Sequence, residues 1–136
     1  LKSFLGVKRR MEKISEINEI KIYDDFAHHP TAIRLSSQAL RNKHPNRKIL
    51  GIIELGSNTM SSGYHKENLL DSYESINGAL VLDPKGMYQG DNIFQSISAL
   101  LEELTKIIKD YDIILIMTNK DSQKFIQPIL KSLEEK

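Results

Sequence analysis

The stretch Lys21-Ile22-Tyr23-Asp24-Asp25-Phe26-Ala27-His28-His29-Pro30-Thr31 sets two carboxylates and two imidazoles side by side. An ionised carboxylate only accepts hydrogen bonds, which suits a pair of adjacent hydroxyls such as those of a ribose. Imidazole changes charge near neutral pH and can donate or accept, so His28 can reach toward a purine base or a phosphate. Pro30 fits the first position of a helix, so these side chains stand at a strand-to-helix turn. The helix behind that turn offers free backbone N–H groups and a partial positive charge to an anion. The competing role for Asp25 is to cap the turn or the helix. For His29, at the N-cap, it is to close the helix start. Asp24 points to the opposite face and reads as structural.

Other chemistries are excluded by pattern. Neither G-x-x-x-x-G-K-[ST] nor G-x-G-x-x-G occurs, so the usual cradles for a triphosphate or a dinucleotide are absent. His28 and His29 are adjacent and diverge, and no H-x-x-x-H accompanies them as a metal pair. No G-x-S-x-G elbow supports a Ser-His-Asp hydrolase.

The elements that must hold the turn follow from hydrophobic period. Met11 to Ile17 and Glu19 to Phe26 alternate as two strands joined near Asn18. Thr31 to Lys43 has helical spacing, with Ile33, Ser37 and Leu40 on one face. Lys48 to Leu55 holds I-L-G-I-I-E-L, an apolar run typical of a strand covered on both faces. His65 to Tyr73 reads as a short helix and Ala79 to Leu82 as a short strand. Asp91 or Asn92 is placed to cap a long helix carrying Ile93, Ile97, Leu100, Leu101, Leu104 and Ile108. Asp112 to Met117 is a buried strand. The last helix carries Phe125, Ile129 and Leu133, with Pro128 either delaying its start or kinking it. Strands alternating with helices predict an α/β fold, a Rossmann-like three-layer sandwich. Its sheet is mostly parallel, with an antiparallel N-terminal edge hairpin. Asp25–Pro30, Gly56–His65, Asp83–Gly90 and Thr118–Ser122 then gather at one sheet edge, where such folds bind ligands.

With 136 residues the chain fits one core, and a formal charge of +1 gives no basic field for nucleic acid or a membrane surface. It has no Cys, which excludes disulfides and thiolate chemistry and fits a reducing, cytoplasmic setting. No apolar run approaches a membrane span.

Three motifs carry a resemblance. Gly6-Val7-Lys8-Arg9-Arg10, then Asp24-Asp25-Phe26-Ala27-His28-His29-Pro30-Thr31, then Ser57-Asn58-Thr59-Met60 with Gly63-Tyr64-His65-Lys66 resemble the C-terminal domain of the Mur ligase family. These are ATP-dependent enzymes that add amino acids or peptides to peptidoglycan precursors. The third motif narrows the resemblance to the branch that joins the tripeptide L-alanyl-γ-D-glutamyl-meso-diaminopimelate to UDP-N-acetylmuramate. Residues 1–5 then read as a linker remnant and 6–136 as the domain, within a longer polypeptide.

The resemblance implies a full-length amide-bond-forming ligase. In it ATP phosphorylates the lactoyl carboxylate of UDP-N-acetylmuramate and the peptide amine attacks. ATP would be shared with a central domain that holds the phosphates and Mg2+, and an N-terminal domain would bind the UDP-sugar. This domain would close over ATP and present the peptide, without a catalytic group or activity of its own. Arg10, Asp25, His28 and His29 would face the nucleotide. Asn58, Thr59, His65, Lys85 and Asn119 would face the acceptor. Leu55-Gly56 replaces a Pro-Arg pair usual in that branch, and Asn119-Lys120-Asp121-Ser122 stands where many members have a Gly-rich turn. Two alternatives stand beside this. One is another Mur ligase, such as the one that adds L-alanine. The other is a free-standing flavodoxin-like nucleotide-binding or signalling module.

Overall fold

A computed structural model describes residues 11–55 and 66–134, the side chains of 66–68 excepted. The elements in order are β1 (Glu12–Ile17), β2 (Ile20–Asp25), α1 (Pro30–Lys43), β3 (Ile49–Glu54), α2 (Lys66–Ser72), β4 (Gly78–Leu82), β5 (Ile93–Phe94), α3 (Ile97–Ile107), β6 (Ile113–Met117) and α4 (Gln123–Glu134). The sheet order is β1-β2-β6-β3-β4-β5. Only the β1–β2 pair is antiparallel among the described strands. This is the α/β three-layer arrangement expected from the sequence.

Alternation along each strand divides the core in two. Tyr23, Ile49, Ile53, Val81, Ile113 and Leu115 face Ile33 and Leu40 of α1 and Leu69 of α2. Ile22, Leu50, Ile52, Leu80, Ile114 and Ile116 face Leu100 and Leu104 of α3 and Phe125 and Ile129 of α4. β6 enters between β2 and β3 and runs parallel to both, so the consecutive strands β2 and β3 are not neighbours, and in such folds ligands bind at the carboxyl ends of the strands.

Local chemistry explains most boundaries. Asn18 and Glu19 both adopt positive φ, 53° and 69°, as a two-residue type I′ hairpin requires. The Asn18 side chain also donates to the Leu133 carbonyl at 2.8 Å, which ties the hairpin to α4. Pro30 occupies the start of α1, and the His29 carbonyl accepts from Ile33 N at 2.9 Å. Arg41 fastens the far end of α1 by donating to the carbonyls of Ser75, His44 and Arg47.

Two expectations are corrected, and one of the two alternatives for Pro128 is removed. The helix placed after Asp91 or Asn92 begins at Ile97, and Ser96 caps it by accepting from Ala99 N at 3.2 Å. Ile93 is a strand residue, because β4 would otherwise present an open edge; Asp83 N donates to Phe94 O at 2.7 Å and Val81 N to Asn92 O at 2.8 Å. Pro128 does not delay α4, which begins at Gln123 and is anchored by buried Phe125, Ile126, Ile129 and Leu133. The His29 side chain forms no capping hydrogen bond, so it does not close the helix start.

His44, after α1, makes one pH prediction. Its Nε2 lies 3.2 Å from the Tyr23 hydroxyl, and burial, then Lys21, Lys43 and Arg47, push its pKa down. Between that lowered value and the ordinary one of about 6.5, the unfolded chain binds more protons than the folded one. The stabilising contribution is therefore complete above about pH 6.5 and is lost as pH falls through the folded-state value. Wild type should lose more melting temperature on acidification than His44→Gln; parallel melting curves would contradict this.

Candidate functional site at the carboxyl edge of the sheet

Asp25 ends β2 and is 3 % exposed. Its Oδ1 accepts from Ala27 N at 2.9 Å, and its Oδ2 from Met11 N at 3.1 Å and Ser36 Oγ at 2.8 Å. Thr118 N donates to its carbonyl at 3.1 Å. The carboxylate thus ties together the entry to β1, the turn after β2 and α1. Two carboxylate oxygens offer about four acceptor positions, so three donors leave room for one more, on Oδ1. The sequence suggested a bracket for two hydroxyls; the occupied carboxylate has room for a single further donor.

Asp25 lines a cleft of ≈ 360 Å³ with Phe26, His28, His29, Ala32, Leu35, Ser36 and Ala39 among its walls. Phe26 and Leu35 are exposed there, at 41 % and 61 %, so one wall is apolar and open. His28 Nδ1 lies 3.1 Å from the Phe26 carbonyl, so it donates, and in a neutral ring Nε2 is then the acceptor. Phe26, His28 and the exposed His29 stack edge to face, with centroids 5.7 and 5.2 Å apart. Asp24 lies on the other face, where its Oδ2 accepts from Ser122 Oγ at 3.0 Å.

The edge continues through β6, β3 and β4. Strands lie ~4.8 Å apart, so the β4 loop is roughly 14 Å from the Asp25 turn. Asp83 is fully buried; its Oδ2 accepts from Tyr88 N at 2.8 Å and its Oδ1 has no hydrogen-bond partner. Burial, then Asp83, pushes the Tyr88 hydroxyl pKa up. Gly86 N donates to Asp83 O at 3.0 Å with Gly86 at φ 66°, a turn that leaves Lys85 exposed. Asn119 is half-buried beside β6, and its Oδ1 is enclosed without a partner. Arg10, Asn58, Thr59 and His65 lie outside the described residues. Among the described residues, no group of three or more His, Asp or Glu could hold a metal ion. No described helix is long and apolar enough to cross a membrane.

One cluster was not anticipated. Glu54, the last residue of β3, is 3 % exposed. Thr118 Oγ1 donates to its Oε1 at 2.6 Å and Lys124 Nζ to its Oε2 at 2.6 Å. Lys120 N in turn donates to Thr118 Oγ1 at 3.0 Å, which fixes the loop after β6. A lone charge in the apolar run I-L-G-I-I-E-L was the available signal for Glu54. Lys124 had none, since a lysine in a first helical turn is ordinary.

The family model described as "Mur ligase, glutamate ligase domain" matches residues 9–120, which takes in the Asp25 turn and two further edge loops in full. The chain belongs to the Mur ligase family. A UDP-N-acetylmuramate--L-alanyl-gamma-D-glutamyl-meso-2,6-diaminoheptandioate ligase of Haemophilus influenzae is 35% identical over the whole chain, which spans 33% of that relative. A murein peptide ligase of Psychrobacter arcticus is 32% identical, with a TM-score of 0.77 over 93% of this chain and 30% of that one. A domain from a putative ligase of the same tripeptide type from Haemophilus ducreyi gives 0.71 at 28% identity, over 93% of this chain and 98% of that one. The chain is thus a Mur ligase C-terminal domain, about a third the length of the curated relative, and not a flavodoxin-like module.

Proposed function

We propose that this domain serves a cytoplasmic, ATP-dependent ligase that joins L-alanyl-γ-D-glutamyl-meso-diaminopimelate to UDP-N-acetylmuramate in peptidoglycan recycling. The observation that carries the reading is the Asp25 turn. It is a rigid carboxylate with one acceptor position left, on a cleft with an apolar wall and an imidazole rim. That fits a nucleoside, with Oδ1 of Asp25 accepting from a ribose hydroxyl, His28 reaching the base or phosphate, and His29 and Arg10 on the phosphate side. ATP, when bound, supplies the activation of the sugar's carboxylate. Its triphosphate and Mg2+ would be held by a central domain, since this sequence has no phosphate loop. The UDP-sugar would be held by an N-terminal domain.

Asn58, Thr59 and His65 after β3, Lys85 after β4 and Asn119 after β6 would meet the incoming peptide. The domain's work is orientation and exclusion of water as it closes over ATP. An ADP-release assay tests this. The 136-residue chain alone should release none. The ligase containing it should require both UDP-N-acetylmuramate and the tripeptide, with L-alanine a poor substitute. Steady ADP release by the chain alone would overturn the division of labour. Release driven by L-alanine in preference to the tripeptide would assign the chain to an L-alanine-adding ligase.

A further inference from the structure

Glu54 takes up a place where an apolar residue would complete the core. It stands on the face that carries Leu50 and Ile52, at the carboxyl end of β3, and is 3 % exposed. A buried carboxylate needs partners, and it has two, Thr118 from the loop after β6 and Lys124 from the first turn of α4. The outcome is a cation held at the carboxyl end of β3, beside the seam with the parallel strand β6.

The Lys124 side chain is 33% exposed. An ammonium has three donors, and among the described residues only Glu54 accepts from it. Its outward side therefore offers donors to solvent beside the loop that carries Asn119. In that loop the Asn119 Oδ1 is enclosed without a hydrogen-bond partner. A fixed ammonium with donors to spare, at the strand edge where such folds bind ligands, suits a carboxylate of the incoming acceptor. It is also separate from the Asp25 cleft, whose walls include neither Lys124 nor Asn119.

We infer that Lys124 is a carboxylate-holding residue of the acceptor site and that Glu54 positions it. This rests on the ligase reading above and adds to it a residue specific for the acceptor's acid group. Glu54 touches no substrate; its part is to hold the ammonium at the seam through a short ion pair, with Thr118 holding the other oxygen.

The test is steady-state kinetics of the ligase containing this chain. The acceptor is L-alanyl-γ-D-glutamyl-meso-diaminopimelate or L-alanine, whichever the wild type uses, with each carboxylate replaced in turn by a carboxamide. Wild type should show a KM about tenfold or more higher for one particular amide, the scale of a charge-assisted hydrogen bond. Lys124→Ala should raise KM for the free acid by a similar factor and lose the acid-over-amide preference at that carboxylate, with kcat within about twofold. Lys124→Arg should keep the preference. Lys124→Ala leaves Glu54 buried with one partner and so can fail to fold. The paired change Glu54→Gln with Lys124→Gln leaves no uncompensated charge, and it should lose the preference in the same way. A paired variant that prefers acid over amide as wild type does would overturn the inference while leaving the ligase reading intact. A wild type that turns over no amino-acid acceptor would remove both.

Discussion

Asp25→Ala should lower the unfolding free energy of this chain by about 3–5 kcal/mol, since each donor orphaned in a protein interior costs about 1–3 kcal/mol. Ala27 N loses its only side-chain acceptor in the buried turn, and Ser36 Oγ and Met11 N lose theirs in part-buried surroundings where water recovers some of the loss. Asp25→Asn is milder and more informative. Its amide must turn an NH2 toward either Ala27 N–H or Met11 N–H, so one donor faces another and stability falls by about 1–3 kcal/mol. If the turn holds the nucleotide, the same change raises KM for ATP in the full ligase by about tenfold to a hundredfold, since charged hydrogen bonds contribute roughly 1.5–3 kcal/mol. Asp24→Asn is the control. It disturbs a buried contact with Ser122 on the opposite face, so it should cost stability without raising KM for ATP. Equal ATP kinetics for the two variants would make Asp25 a structural turn residue only.

The second large effect runs against intuition about which partner of an ion pair matters. Lys124 is the more exposed member, at 33% against 4% for Glu54. Removing Glu54 frees an ammonium that can turn to water. Removing Lys124 leaves a carboxylate that cannot, held by Thr118 alone. Breaking a buried pair by deleting one partner costs about 3–5 kcal/mol, and the exposure of Lys124 places this case near or below the lower end. Lys124→Met should therefore destabilise by about 2–3 kcal/mol, and Glu54→Gln by about 1 kcal/mol. Equilibrium urea unfolding reads both. A Glu54→Gln loss larger than that of Lys124→Met would show that the carboxylate does more in the fold than hold this cation.

The layers were legible because period alone separates these elements. The runs at Lys48–Leu55 and Asp112–Met117 could only be covered on both faces, and Ile33, Ser37 and Leu40 could only face a sheet. One boundary escaped for a tertiary reason, and one choice left open was decided by it. Ile93 has helical spacing to Ile97, yet β4 needed a neighbour, and pairing with Ile93–Phe94 outweighed continuation of the helix. Pro128 reads as a breaker, yet the buried side chains around it hold the helix together.

The Asp25 turn was legible as a strand-to-helix turn that sets carboxylates and imidazoles together, because Pro30 starts the helix directly after them. Its hydrogen-bond occupancy was not, since Met11 and Ser36 reach it through the fold and no local spacing announces them. The same holds for Glu54, whose partners Thr118 and Lys124 lie 64 and 70 residues away.

A structure of the full ligase with a non-hydrolysable ATP analogue tests the central claim most directly. The account expects the nucleoside to lie in the cleft of the Asp25–His29 turn, with one ribose hydroxyl donating to Oδ1 of Asp25 and the His28 ring against the base or phosphates. A nucleoside bound without touching any residue from Tyr23 to Thr31 would contradict it.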